Sequence, residues 1–335
     1  MSDATAHPAG ASRRPGRLGV GIISAGRVGA VLGSALRAVD HQVIGVHAVS
    51  EDSRERAEML LPGVPVLEVE QIIERAELVL LAVPDDALGP LVQGLAELGR
   101  WQPGQLVVHT SGLHGLAVLE PARRGGAIPL AIHPAMTFAG LSTDLARLVG
   151  CPMAVTAPAA VLPIAQALVV ELGGEPFVLD DAARPAYHAA LAHGANHLVT
   201  LVGQAVRALE AAGIQDGAAT LRPLLGAALD RALTEGGAAL TGPVSRGDVG
   251  TVSGHIAALE ALSRDHGGGL DDVVAAYRHL ASATAQRCQA EGRLTADQAR
   301  RLHEALGPIP GDDAGPGGTG PGAEGPGGRA PSSGG

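Results

Sequence analysis

A chain of 335 residues with 46% hydrophobic residues is long enough to bury two ordinary domain cores. Its net charge of −10 and its scattered Arg residues exclude the basic footprint of a nucleic-acid or anionic-membrane binder. Lys is absent, so chemistry that needs a Lys acid, Schiff base or phosphate-loop Lys is excluded, and one Trp, two Tyr and two Phe leave few platforms for stacked bases.

Cys151 and Cys288 lie far apart and form no CxxC or Cys/His spacing, so neither a disulfide framework nor a metal site is expected, and a reduced cytoplasm fits. No segment reaches the roughly 18 uninterrupted apolar residues of a membrane helix. Residues 1–16 and the Gly/Pro-rich stretch 308–335 are expected to be disordered.

The first predicted strand, 18–23, runs into Ser24-Ala25-Gly26-Arg27-Val28-Gly29 and then a helix with Val28, Val31, Leu32, Ala35, Leu36 and Val39 on one face. Gly26 and Gly29 occupy the second and third positions of a dinucleotide-binding glycine fingerprint, with Ser24 where the first glycine belongs. A glycine-rich strand-to-helix turn without a nucleotide is the bland alternative. After the second strand, 42–49, Ser50, Ser53 and Arg54 form a cluster suited to a ribose 2′-phosphate. That favours NADP, whereas Glu51 or Asp52 would suit the 2′-hydroxyl of NAD. The third strand, 78–83, ends at Val83-Pro84, a cofactor edge, where Asp85 and Asp86 are expected to cap a helix.

The next strand, 106–110, leads into Ser111 and carries His109, expected to be structural. Strand 127–133 ends at His133, with Thr137 in the following loop as a substrate contact. A His at a strand's carboxyl edge is a candidate acid/base, because its ordinary pKa lies near neutrality; a backbone-bonded His before a proline turn is the alternative. Strands at 153–156 and 176–179 complete a series of βαβ units. The fold expected for 17–180 is therefore an α/β Rossmann domain on a doubly wound, mainly parallel sheet.

From 181 to 307 strand signals vanish, and Ala/Leu periodicity predicts an all-α second domain. It contains the single Asn of the chain, Asn196, as a candidate carbonyl-polarising group or an interface residue. It also contains a polar cluster in which Thr241, Gly242, Arg246, Asp248 and His255 are substrate candidates. Arg246 suits a carboxylate; a plain helix connection in which Asp248 pairs with Arg246 and Thr251 caps a helix is equally open.

These motifs together resemble the Rossmann-like proteins with a C-terminal domain of unknown function, DUF2520, relatives of the 6-phosphogluconate-dehydrogenase-like reductases. The resemblance rests on Gly26–Gly29, Val83 to Asp86, His109 to Gly112, His133 to Phe138, and Leu240 through His255. It implies an NADP-dependent oxidoreductase acting on a small carboxylate-bearing keto or hydroxy acid, and by analogy a homodimer. His133 would be catalytic, assisted by Ser111 as in the similar His-Pro motif of prephenate dehydrogenases, with Asn196 polarising the carbonyl. The ketopantoate reductases of the wider group place a Lys four residues before their Asn, where this chain has Ala192. An imine or pyrroline reductase and a non-catalytic NADP(H) sensor are the alternatives.

Overall fold

The computed structural model describes residues 17–308. Residues 1–16 and all but the first of 308–335, expected to be disordered, lie outside them. The chain divides into two compact units that part between Ala195 and Asn196.

The first unit carries seven strands: β1 (Gly19–Ile23), β2 (Gln42–His47), β3 (Leu78–Leu81), β4 (Leu106–His109), β5 (Ile128–Pro134), β6 (Pro152–Thr156) and β7 (Glu175–Val178). They form one sheet in the order β2-β1-β3-β4-β5-β6-β7, parallel at every pairing except β5 with β6. Beyond β2, Val66 makes a single parallel bridge to Val46, so the third strand of the nucleotide-binding half survives as one residue pair. With that bridge the sheet reverses its winding between β1 and β3, the crevice where open α/β sheets hold ligands.

Around the sheet lie α1 (Arg27–Ala38), α2 (Glu51–Leu60), α3 (Val69–Arg75), α4 (Asp85–Glu97), α5 (Glu120–Arg124), α6 (Thr143–Leu148), α7 (Leu162–Glu171) and α8 (Arg184–Leu191). The central strands read as unbroken apolar runs because both faces are covered. Leu78 and Leu80 pack with α1 and α7, while Val79 and Leu81 pack with α3 and α4. The expected boundary at 180 falls before the break at 195, because α8 is tied to the sheet by Arg184, which hydrogen-bonds Ser111, Ala131 and Thr156.

The second unit is all helical, with α9 (His197–Ala211), α10 (Gly217–Glu235), α11 (Pro243–Arg246), α12 (Val249–Asp265), α13 (Asp271–Ala290) and α14 (Ala296–Leu306). Its core is small: Val252, Ile256, Ala281, Ala285, Cys288, Leu302 and their neighbours, from α12 to α14. Among the described residues no helix is long and apolar enough to cross a membrane.

Candidate functional site

β1 delivers the chain into the glycine turn, where Ser24 adopts φ +79°, a left-handed conformation that Gly enters freely and a side chain resists. That is how a Ser is fitted at the first glycine position. The Ala25 N–H donates to the His47 carbonyl at 2.9 Å, fastening the turn to the end of β2. At Gly29 a Cβ would stand 2.1 Å from the Ser24 carbonyl oxygen and 3.0 Å from Ala82 Cβ, so only Gly lets α1 approach β1 and β3 this closely. Gly26 faces open space instead, its nearest neighbour Ser24 Oγ at 3.4 Å from a built Cβ. Helix α1 starts there with neither a side-chain cap nor an acid in its first turn. Its N–H groups and dipole therefore stay available to an anion, a geometry that fits a pyrophosphate.

The turn opens on a cleft of about 430 Å³ whose walls come from the carboxyl ends of β1, β3, β4 and β5: Ser24, Gly26 and Val28, then Ala82 to Asp85, Thr110 to Gly112, and His133, joined by His188 of α8. Val83 and Pro84 line this cleft. Asp85 and Asp86 occupy the first turn of α4, while Pro84 itself is the N-cap residue, so neither acid is the cap the sequence suggested.

Beside the turn, Ser50 caps α2 by accepting the Ser53 N–H at 3.2 Å and keeps its own proton for an anion. Ser53 drops out of the expected phosphate set, because it is buried and its hydroxyl already donates to the Ser50 carbonyl at 2.7 Å. Arg54 reaches back to the Ala48 carbonyl, 3.5 Å away. Arg56, which no sequence motif singles out, donates to the Ala25 carbonyl at 3.2 Å. Buried Asp144 accepts the N–H groups of Ala139 and Gly140, and the loop it shapes brings Gly140 against the stems of Arg27 and Arg56. Arg54 and Arg56 of α2 thus reach the end of β2 and the turn, and Arg27 opens α1 beside them.

His109 is structural, as the sequence suggested. It is fully buried, with Nδ1 accepting the Ser111 N–H at 3.2 Å and Nε2 at 3.1 Å from the Gly115 carbonyl. Burial first, and the charge of Arg184 second, lower its pKa to about 3. Unfolded His109 titrates near 6.5, so the unfolded chain binds the extra proton between about pH 3 and 6.5, and stability falls as pH drops through that window. From pH 7 to pH 5 this one residue is expected to cost about 2 kcal/mol. Denaturant titrations of the parent and of His109→Gln should differ in pH slope by that amount; parallel curves would refute it.

His133 stands half-buried at the end of β5 with its Nε2 edge against Gly112. Burial, with smaller contributions from His188 and Arg184, lowers its pKa to about 4. This corrects the expectation of a His poised near neutrality, because the cleft wall strips water from the ring. Its Nδ1 lies 2.9 Å from the Tyr187 hydroxyl, so Tyr187, not Ser111, orients it. The Ser111 hydroxyl instead accepts the N–H groups of Leu113 and His114, shaping the loop after β4.

The sequence places Tyr187 and His188 in the helical stretch that leads to Asn196 but gives neither a role, and it does not single out Arg184. All three share one face of α8 by their i, i+3, i+4 spacing. Arg184 is completely buried; its guanidinium donates to Thr156 Oγ1 at 2.8 Å and to the carbonyls of Ser111 and Ala131 at 2.9 and 3.0 Å.

Thr137 is exposed in the loop after β5, outside the cleft lining. The other substrate candidates belong to the second unit. Asn196 is exposed at the end of a π-helical turn, Ala192–Asn196, a distortion frequent at functional sites. Asp248, not Thr251, is the N-cap of α12, accepting from the Thr251 N–H at 3.1 Å and hydroxyl at 2.7 Å, which corrects the expected Thr251 cap and spends the carboxylate on the helix start. Gly242, at φ +101°, opens α11, and Arg246 is exposed at the end of that helix. Thr241 and His255 line a largely apolar cavity of about 930 Å³ within this unit, where His255 Nδ1 meets the Tyr277 hydroxyl at 2.9 Å.

No curated protein sequence matches the chain. Among solved structures, the fold is similar to a candidate NADP oxidoreductase from Bacteroides fragilis, at 20% identity and a TM-score of 0.65 over 81% of this chain and 98% of that one. It is also similar to an imine reductase from Myxococcus stipitatus in complex with NADP+, at 17% identity and 0.57 over 86% and 99%. A variant of the M. stipitatus imine reductase with NAD+ gives 17% and 0.52 over 87% and 99%. Residues 4–134 match the Rossmann-like domain family and residues 151–284 match the family of the domain of unknown function DUF2520. The chain thus belongs to the proteins that join a Rossmann-like domain to a DUF2520 domain.

Proposed function

We propose that this protein is an NADP(H)-dependent oxidoreductase that transfers hydride to or from a small keto or hydroxy acid. The observation that carries the reading is the meeting, in one cleft, of an uncapped helix N-terminus and a neutral imidazole edge, His133 Nε2. When bound, the nicotinamide would supply or take the hydride. The pyrophosphate would lie on Gly26 to Gly29, and the 2′-phosphate on Ser50 with Arg54 and Arg56. His133, neutral at pH 7, would accept the hydroxyl proton in the oxidative direction or donate an N–H in the reductive one. Proton acceptance would fade as pH falls through about 4.

A second reading, reduction of an imine, draws on the same neutral ring. An iminium substrate arrives with its proton, so hydride transfer needs no acid, and an uncharged imidazole does not repel the cation.

Purified protein mixed with NADPH and a panel of keto acids, their esters and cyclic imines should consume NADPH with at least one compound, and His133→Ala should lower that rate by about 10²–10⁴-fold. Tight NADPH binding without turnover across a broad panel would instead identify a sensor. Arg54→Ala combined with Arg56→Ala should weaken NADPH about tenfold or more and leave NADH affinity unchanged; equal losses for both would discard the 2′-phosphate assignment.

We also propose a homodimer built on the second unit. Over their lengths α9 buries only Gln204 and α10 only Gly217, while Val199, Leu224, Leu229 and Leu233 are exposed, and clustered exposed apolar side chains of this kind mark association surfaces. Sedimentation as a monomer at micromolar concentration would overturn this.

A further inference from the structure

His133 and Tyr187 meet edge to face with centroids 5.5 Å apart, and the hydroxyl lies 2.9 Å from Nδ1. Tyr187 has little freedom to leave. Phe177 of β7 packs edge to face with it at 6.0 Å, and three residues earlier Arg184 clamps α8 to the loop after β4 and to β5 and β6. The groups facing His133 are Tyr187, His188 at 6.2 Å between ring centroids, the Arg184 charge and the more distant Asp85.

A neutral imidazole has one N–H and two candidate nitrogens, and which one bears the proton is set by the partner of the other. A ring whose Nδ1 accepts from a phenol presents Nε2–H, here against Gly112 at the cleft. We propose that Tyr187 is a positioning residue that donates to His133 Nδ1, holds the ring as the Nε2–H tautomer, and restores its proton after each turnover.

The inference rests on the oxidoreductase reading. In the reductive direction a hydride reaching the carbonyl carbon, which bound reduced nicotinamide would supply as it is oxidised, would push the carbonyl π pair onto oxygen. The His133 Nε2–H bond breaks as its proton joins that oxygen. The Tyr187 O–H proton passes to Nδ1, so the ring stays neutral with its proton on the other nitrogen. The phenolate, which burial disfavours and the Arg184 charge favours, then takes its proton back from Nδ1 as Nε2, at the cleft, takes one from water, so both groups regain their first state. The sum is a carbonyl plus one hydride and one solvent proton giving an alcohol. Without Tyr187, the same donation would leave an imidazolate, so only the protonated ring could serve.

Two measurements test this. Nitrogen-15 spectra of histidine-labelled protein, with the His133 signals identified by their absence in His133→Asn, should show Nε2 protonated and Nδ1 unprotonated at pH 7. In Tyr187→Phe the ring should shift toward a mixture of tautomers. In steady-state reduction, Tyr187→Phe should lower kcat about 10²-fold with KM within about twofold, and its kcat should fall as pH rises, whereas the parent's stays level near neutrality. An Nδ1–H tautomer in the parent, or a variant whose kcat and pH profile match the parent's, overturns the proposal. The spectra need no turnover, so a parent that reduces no substrate would sink the oxidoreductase reading while the tautomer still decides the role of Tyr187. Should Tyr187→Phe not fold, the parent's tautomer alone decides it.

Discussion

Arg184→Ala is expected to destabilise the protein by about 3–5 kcal/mol in denaturant unfolding, among the largest effects of any single substitution in the chain. Arg184 is wholly buried and all its hydrogen-bond acceptors are uncharged: the Thr156 hydroxyl and the carbonyls of Ser111 and Ala131, with Ala154 O further off at 3.5 Å. Burial pushes its pKa down, the mark of a cation held at a cost. Removing it relieves that cost but leaves three acceptors dry and a cavity the length of the side chain, and the second effect is the greater. Arg184→Lys should recover little, because one ammonium cannot span acceptors on β5, β6 and the loop after β4 as a planar fork does. If Arg184→Ala unfolded within about 1 kcal/mol of the parent, the clamp would have no energetic standing. Asp181, which accepts the Leu116 N–H at 2.7 Å, ties the same loop to the start of this segment, so some α8 docking should survive.

Features set by local pattern are legible in the amino-acid sequence. Seven strands appear at the predicted places, their ends within two residues of those expected, because apolar β-branched runs between turn residues have few other ways to bury both faces. The glycine turn is legible for the same reason, being a strand, a tight reversal and a helix within about twenty residues. What stays hidden depends on partners distant in sequence. Arg184 meets Ser111 from 73 residues away, Tyr187 meets His133 from 54, and Arg56 meets Ala25 from 31. In isolation Arg184 reads as a solvated first-turn Arg behind Asp180 and Asp181. The periodicity of α8 shows that 184, 187 and 188 share a face, but not that the face meets the end of β5. Asp248 is the opposite case: its dense polar loop looks like a binding site, while an acid three residues before a Thr at the start of a helical run is a local capping pattern.

The glycine turn supplies the other large effect, as a contrast between two one-carbon changes. Gly26 has φ −67° and a built Cβ there meets nothing closer than Ser24 Oγ at 3.4 Å. Gly26→Ala should therefore fold with stability within about 1 kcal/mol of the parent, the poorer N-cap being offset by a less flexible unfolded chain. Its methyl group would nonetheless stand in the open space above α1, where a pyrophosphate must come within hydrogen-bond reach of the backbone. NADPH affinity should fall at least tenfold, about 1.4 kcal/mol. Gly29→Ala presses its Cβ to 2.1 Å from the Ser24 carbonyl, an overlap that only a backbone shift relieves, so it should lose about 1–3 kcal/mol of stability together with cofactor binding. Titration of NADPH by fluorescence, beside thermal unfolding of the same samples, separates the two. A Gly26→Ala protein that binds NADPH as tightly as the parent would mean that no phosphate rests on this turn, and the dinucleotide assignment would fall with it. Loss of stability in Gly26→Ala to the extent seen in Gly29→Ala would mean instead that Gly26 is needed for packing, and its open face would no longer argue for a ligand.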